Sequence, residues 1–358
     1  MSTHEHRDRA WVEVDLAQLI VNARTVQATV RGARLLPMVK ANGYGLGVVA
    51  VTRALEQGVD PWGFGVATVG EGRELRAAGI RRPIVVFTPA RVDQLPEYKI
   101  HALQAVLAGP ATTAVWDAPF HLEIDTGMAR GGVRWDDRRA LAGVSEPAME
   151  GAFTHFHSAD IDAGSVEVQL QRFGDAIQSL GRRPGLLHVA NSAGAFRVRA
   201  PFDLARPGIF LYGAQVAADL PMPEPVAALR SRVVSVREVL PGETVSYGGE
   251  WRAARATAVA TIGIGYADGV PRASQGRMQV LLHGRRCAVL GRVTMDMIMA
   301  DVTPLSSRVA VGDVVTVVGR DGDDAITWDE FAAWAGTISY EVLTRLAPRL
   351  PRYYSSGA

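Results

Sequence analysis

Residues able to do covalent or proton-transfer chemistry stand where short apolar runs end. Lys40 closes "RLLPMVK". Asp125 closes "FHLEID" and opens the segment "DTGMARGG". His155 and His157 lie in "THFHSAD", Asn191 and Ser192 in "HVANSAG", and Arg206 in "ARPGIFLYG". A lysine amine in such a place is a nucleophile toward carbonyl groups. Ser192 offers a hydroxyl, and Gly208 and Ile209 offer backbone N–H groups that a missing Cβ leaves approachable, a donor set suited to phosphate. One at a time these residues are bland. A lone lysine is a surface charge, a lone histidine a satisfied structural group, "ARPG" a turn and "TGMARGG" a flexible loop. Their value depends on whether the fold brings them together.

The elements that must do so are eight strand-like runs: "RLLPMVK", "WGFGVA", "PIVVF", "ALQAVLA", "FHLEID", "GAFTHF", "LLHVA" and "FDLARPG". Most are separated by segments of helical periodicity such as "EGRELRAAG" and "EVQLQRFGDAIQSLG". Alternating β and α elements imply a parallel sheet. Eight repeats over roughly 200 residues point to an α/β fold of the (β/α)8 TIM-like barrel type, with an open doubly wound sheet as the alternative. The link "PATTAVWDAP" leaves room for only a short helix. Ahead of the first run, Asp15 can cap a helix whose apolar face is Leu16, Leu19, Ala23 and Val26. In a barrel the active site sits at the C-terminal strand ends, with phosphate often held after strands seven and eight. All the residues above then share one rim. A lysine across that rim from a phosphate site suggests an imine with a phosphorylated aldehyde, for which pyridoxal phosphate is the obvious candidate.

The pattern changes near residue 230. "RVVSVREVL", "ARATAVATIGIGY", "MQVLLHG", "CAVLGRV", "MIMADV" and "DVVTVVG" read as strands without long helices between them, followed by the helix-like "WDEFAAWAG" and "SYEVLTRLA". The expected division is a barrel over 1–229 and a mainly β C-terminal domain over 230–358. The terminal "SSGA" is expected to fray.

Totals bound the function. The chain has 358 residues, 48% of them hydrophobic and 21% charged, a globular composition. A formal net charge of +1 gives no bulk electrostatic case for a nucleic acid or membrane partner. The single cysteine, Cys287, cannot build a disulfide framework or a cysteine metal site within one chain, and no metal is expected. The N-terminal "MSTHEHRDRAWVEVDL" has no apolar core of signal-peptide length, so a cytoplasmic location is the expectation.

With these residues in place, "VKANGYGLG" resembles the cofactor-attachment signature of alanine racemases. The similarity continues in order through "WVEVDLAQLIVNAR", "DTGMARGGV", "THF", "HVANSAG", "ARPGIFLYG", "VSYGGEW", "GIGYADGVPR", "GRVTMDM" and "SYEVLTRLAPRLPR", and covers nearly the whole chain. The resemblance implies a pyridoxal-5'-phosphate-dependent isomerase that interconverts L- and D-alanine and supplies D-alanine for peptidoglycan. Lys40 would carry the cofactor and act as one base, serving the D-enantiomer. Tyr247 would be the opposing base, serving the L-enantiomer. Tyr44, Ser192, Gly208, Ile209 and Tyr340 would bind phosphate, with Asn191 beside them. Arg206 would face the pyridine nitrogen, with His155 as a neighbour that assists. Arg130 would reach the cofactor's phenolic oxygen and the substrate carboxylate. Met295 would offer its amide to the same carboxylate, with Tyr266 and Asp296 nearby. The family's second base and substrate-binding residues come from a partner chain, so a homodimer is implied. The alternatives are a racemase of another small amino acid such as serine, a non-catalytic pyridoxal-phosphate-binding protein, which would lack Tyr247, and a basic amino-acid decarboxylase, against which Arg206 speaks.

Three positions depart from the family pattern. Many relatives carry a carbamylated lysine two residues before the "DTGM" aspartate, where this chain has Glu123. That residue would supply the negative charge directly and support Arg130. Leu46 stands in place of a usual histidine, for which a packing change is expected. Thr294 stands where many relatives have cysteine, beside the implied carboxylate site, and with Glu123 it leaves strict alanine specificity open.

Overall fold

The computed structural model describes residues 8–200, 202–305 and 307–356. They fall into two compact units. One holds Leu19–Glu224, and the other holds Pro225 onward together with the N-terminal segment up to Gln18. The division expected at 229/230 therefore becomes an interleaved one. Strand Ala10–Asp15 pairs antiparallel with Ala227–Val239 and parallel with Arg352–Ser355. Its sequence "AWVEVD" buries Ala10, Trp11, Val12 and Val14, so it needs apolar cover on nearly every position, and a sheet supplies it.

In the first unit eight parallel strands follow the eight apolar runs: Arg34–Leu35, Phe64–Val66, Ile84–Pro89, Gln104–Leu107, Phe120–Asp125, Met149–Phe153, Leu186–His188 and Leu204–Ala205. Each pairs with its sequence neighbour, and the last pairs with the first. A bridge from Met38 to Gly65 joins the first strand to the second, with Val39 N donating to Gly65 O at 2.8 Å, and this closes the ring. Leu36, Val85, Val106, Phe153 and Leu204, each in or next to a different strand, pack as one buried cluster. Full burial of such a side chain is worth about 1.5–3 kcal/mol. The short helix expected before strand five is Pro110–Thr113. The helix beginning at Leu16 is capped by Asp15 Oδ1, which accepts from Ala17 N and Gln18 N, and it buries Leu19, Ala23 and Val26 as the spacing predicts.

In the second unit six antiparallel strands close on themselves in the order Ala227–Val239, Thr257–Ile262, Ile298–Asp301, Arg285–Leu290, Gln279–Leu282 and Val314–Asp321. Helices Trp328–Trp334 and Ser339–Thr344 follow. Ser355 of the "SSGA" tail is not frayed, because it ends a strand in register with Asp15; Gly357 and Ala358 lie outside the described residues. Among the described residues no helix is long and apolar enough to cross a membrane.

Candidate active site

Lys40 follows the first barrel strand directly, and the backbone after it turns left-handed. Ala41, Asn42 and Gly43 have φ of 54°, 55° and 60°, and Tyr44 has φ of 52°. This conformation costs a non-glycine residue about 1–2 kcal/mol. It is held by bonds from Gly43 N to Val39 O at 2.9 Å, Gly45 N to Ala41 O at 2.8 Å and Gly47 N to Asn42 O at 2.9 Å. Asn42, a residue type that tolerates this region, also accepts from Val48 N through Oδ1 at 2.9 Å and so opens the next helix. Glu71 Oε1 accepts from Ala41 N at 2.6 Å, while its Oε2 accepts from Ala67 N and Thr68 N. The strain is therefore concentrated beside the lysine and pinned by Glu71 in the first turn of helix Val69–Ala77.

The left-handed turn folds Tyr44 back into the barrel. Its ring stacks on Tyr212 with centroids 4.4 Å apart, and the Tyr212 hydroxyl donates to Met38 O at 2.8 Å. A Cβ on Gly208 would collide with Tyr44 Oη, so only glycine fits there. Gly208 N donates to Ser192 Oγ at 2.8 Å. The Tyr44 hydroxyl, the Ser192 hydroxyl and the Gly208 amide thus converge, with Ile209 opening the buried turn Ile209–Tyr212. Asn191, next to Ser192, bonds to the backbone. Its Oδ1 accepts from Gly194 N at 2.8 Å and its Nδ2 lies 3.5 Å from Phe156 O, so it shapes the loop carrying Ser192. Leu46 is fully buried, in keeping with a packing change.

Arg206 is buried under the same rim. Nη1 donates to His188 Nδ1 at 2.9 Å and His188 O at 2.8 Å, and Nη2 donates to Thr154 O at 2.7 Å. Its guanidinium carbon lies 5.1 Å from the Phe153 ring centroid. Burial lowers its pKa to about 9, opposed by Glu123 and assisted by Arg130. His188 Nε2 meets His121 Nδ1 at 2.8 Å, and His121 Nε2 meets Gln104 Oε1 at 2.8 Å. Burial, then the Arg206 charge, lowers the His121 pKa to about 3. Burial first, then Arg206, Arg130 and Lys40, lowers that of His155 to about 3. The Lys40 amine is also pushed down, by burial first, then by Arg130 and by Arg206, with Glu71 opposing.

Glu123, on the fifth strand, is buried, with Oε1 3.9 Å from Arg130 Nη2. This is an ion pair beyond hydrogen-bond reach. Burial raises the Glu123 pKa against the opposing pull of Arg130 and Arg206. Gly131 and Gly132 lie against it. A Cβ on Gly131 would come 2.9 Å from Glu123 Oε2, and one on Gly132 would come 2.7 Å from Glu123 O. Asp125 turns out to build the loop, since its Oδ1 accepts from Gly127 N and Ala129 N.

The second unit carries Tyr247, Tyr266, Met295, Asp296 and Tyr340. Tyr247 is 70% exposed, Met295 52%, Tyr340 44% and Tyr266 42%. Tyr266 N donates to Thr294 O at 2.9 Å and Ala267 N to Met295 O at 3.0 Å, so two loops run together. Thr294 closes its own loop locally, with Oγ1 donating to Met297 O at 2.7 Å and accepting from Met297 N at 3.1 Å. Buried Asp268 accepts from Arg9 Nη2 and Arg349 Nε, both at 2.7 Å, and from Gly265 N at 2.9 Å. Arg349 Nη2 continues to Asp296 Oδ1 at 2.7 Å.

Sequence reasoning missed His121, His188, Gln104 and Gln169. The last left a signal. In helix Ala163–Gln178 the buried stripe is Val166, Gln169, Phe173 and Ala176, a glutamine at an apolar position.

Residues 14–216 match the family described as "Alanine racemase, N-terminal domain", and residues 226–354 match "Alanine racemase, C-terminal domain". The chain is 39% identical over 367 residues to the alanine racemase of Symbiobacterium thermophilum, covering 96% of each chain. It is 38% identical over 373 residues to that of Synechocystis, covering 97% of this chain and 99% of the relative. Its fold matches the crystal structure of alanine racemase from E. faecalis with a TM-score of 0.89 at 33% identity, over 97% of this chain and 98% of that one. It matches the alanine racemase from Bacillus anthracis, solved with bound L-Ala-P, with a TM-score of 0.90 at 31% identity, over 98% and 96%.

Proposed function

The chain belongs to the alanine racemase family, and from that premise we propose that it interconverts L- and D-alanine with pyridoxal phosphate held on Lys40, supplying D-alanine for peptidoglycan. The observation that carries this reading is the rim of the barrel. Lys40, with its lowered pKa, shares it with a converging set of neutral phosphate donors and with buried Arg206.

The donor set fits the cofactor. The Tyr44 and Ser192 hydroxyls and the amides of Gly208 and Ile209 suit a phosphate, and only a glycine at 208 leaves room beside Tyr44. Tyr340 would add a further hydroxyl. When bound, pyridoxal phosphate supplies the electron sink that makes the alanine Cα proton removable. Arg206 would be the residue to meet the ring nitrogen. A guanidinium gives a hydrogen bond and keeps its proton, so a ring nitrogen facing it would stay unprotonated and the sink would be weak, which would disfavour side reactions.

Racemisation takes a proton from one face of Cα and returns one to the other. The Lys40 amine serves the D-face. Its lowered pKa leaves more of it neutral and able to accept the proton at Nζ. Tyr247 Oη serves the L-face. Arg130 engages the substrate carboxylate, and Glu123 supplies the nearby anion that keeps Arg130 in place, a role supported by their 3.9 Å separation. The Met295 amide, Tyr266 and Asp296 complete the carboxylate site.

The second set belongs to the partner in a homodimer. The support is their exposure in a single chain, where Tyr247 is 70% and Met295 52% accessible. Aromatic and methionine side chains are enriched at interfaces. The test is a racemisation screen over small amino acids with Lys40→Ala as control. Alanine is expected to turn over best, and the variant not at all. Failure to racemise alanine, or a clear preference for serine, sinks the reading.

A further inference from the structure

Gln169 is fully buried in the apolar stripe of helix Ala163–Gln178. A carboxamide there is costly unless its hydrogen bonds are made. They are made to two different loops. Nε2 donates to Thr126 Oγ1 at 2.9 Å, in the loop after strand five, and to His155 O at 3.1 Å, in the loop after strand six. Oε1 accepts from His157 N at 3.1 Å. The backbone on the C-terminal side of His155 is thereby fixed at two points by one side chain. Thr126 Oγ1 in turn meets the buried Thr154 Oγ1 at 2.7 Å, and Thr154 O is an acceptor for Arg206 Nη2 at 2.7 Å.

The arrangement matters because the sheet ladder stops short. Strand six ends at Phe153, whose last partners are Glu123 and His188. Thr154 and His155 lie beyond the ladder, yet they must present a carbonyl to a buried charge and an imidazole to the rim. The same helix secures Thr126 a second time, since Arg172 Nη1 donates to Thr126 O at 2.8 Å while its guanidinium lies over the Trp135 ring.

We propose that Gln169 is a positioning residue of the racemase site, which acts through Thr126 and Thr154 to hold Arg206 and through the backbone to hold His155. This rests on the reading of the rim as a racemase site, and it assigns Gln169 no contact with substrate.

The test uses the dimeric holoenzyme and the variants Gln169→Met, Thr126→Val, Thr126→Ser and Gln169→Met/Thr126→Val. Displacements on the ångström scale in an active site cost up to about 100-fold in rate. Gln169→Met and Thr126→Val are each expected to lower kcat by about 10- to 100-fold with the alanine KM unmoved. Thr126→Ser, which keeps the hydroxyl, is expected to retain the wild-type rate. The double variant is expected to be no worse than the poorer single one, because both break one chain of bonds. Two readouts do not depend on turnover: the His157 amide should exchange with solvent faster in Gln169→Met, and both single variants should release pyridoxal phosphate faster. Wild-type kcat in Thr126→Val, or in a folded Gln169→Met with a lowered melting temperature, would overturn the proposal, as would additive losses in the double variant. If the wild type itself racemises no alanine, the family reading falls instead. Cofactor release then decides the role of Gln169, and release unchanged in both single variants overturns it.

Discussion

Arg206 Nη1 lies 2.9 Å from His188 Nδ1, and this contact sets the protons of a buried chain. A guanidinium only donates, so His188 Nδ1 accepts and the neutral ring carries its hydrogen on Nε2. That hydrogen points to His121 Nδ1, which leaves the His121 hydrogen on Nε2, facing Gln104 Oε1. Every member is satisfied only while both rings are neutral.

Acid therefore destabilises this barrel earlier than its carboxylates alone would. Burial and the Arg206 charge depress the folded-state pKa of His121 and His155 to about 3 and hold His188 well below its ordinary value. An unfolded histidine titrates near 6.5, so below that pH the unfolded chain binds more protons than the folded one. The stability is present above about pH 6.5 and is lost as pH falls toward 3, by up to about 1.4 kcal/mol per pH unit for each ring. Thermal melts between about pH 7 and pH 5 should show a falling melting temperature. His121→Gln, which keeps a donor and an acceptor without a titrating ring, should flatten the slope. An unchanged slope would rule the chain out as its source.

Gly208→Ala tests the proposed phosphate cradle. The new Cβ would strike Tyr44 Oη, so the variant should melt lower and bind pyridoxal phosphate more weakly, by about 10- to 100-fold for one or two lost hydrogen bonds. Adding Tyr44→Phe removes the colliding oxygen. The double variant should regain melting temperature but not affinity, as read by cofactor fluorescence. Full recovery of affinity would mean that the Tyr44 hydroxyl does not hold the phosphate.

Glu123→Gln keeps the shape and deletes the charge beside Arg130. An ion pair 3.9 Å apart and partly exposed is worth little to stability, so melting should change by less than about 1 kcal/mol. Steady-state kinetics should instead show a raised alanine KM, because Arg130 is the residue we propose as the carboxylate ligand. Bicarbonate should change neither form. A Glu123→Gln enzyme with wild-type kinetics would remove the residue from the site.

Asp268 is the electrostatic hub of the second unit. Burial pushes its carboxyl up, but hydrogen bonds from Arg9, Arg349 and the Gly265 amide outweigh burial and hold it below the ordinary value. Its contribution is present above the usual carboxylate pKa and is lost as pH falls through the lower folded value. Both arginines keep contact with water, so Asp268→Asn should cost about 1.5–3 kcal/mol, the range of one charge-assisted hydrogen bond. Denaturant melts should also show the variant losing less stability in acid than the wild type. Equal acid sensitivity would place the titrating group elsewhere.

Much of this molecule could be read from its residues. The eight apolar runs became the eight barrel strands because parallel strands covered on both faces are nearly continuous in Val, Ile, Leu and Phe. That Lys40, Ser192, Arg206 and Gly208 would lie near one another was legible because strand ends face one rim. Strand Ala10–Asp15 joining the β unit was not, since its partners lie more than 200 residues away and no local pattern names them. His121 and His188 went unread as single polar residues inside strand runs, and only the folded barrel brings them together. The place of Asn191 beside Ser192 could be read, but not its bond to Gly194 N, which a short polar side chain next to a turn makes with the backbone. The left-handed turn after Lys40 had one visible clue, the Asn-Gly pair, but its length shows only in the folded backbone.

The central claim is that two bases, Lys40 and Tyr247, work on opposite faces of one carbon. The most direct measurement is deuterium uptake at Cα of L- and of D-alanine in heavy water, followed by NMR with Tyr247→Phe. The account predicts that exchange from L-alanine is lost while exchange from D-alanine, served by Lys40, persists. Undiminished exchange from both enantiomers would contradict it.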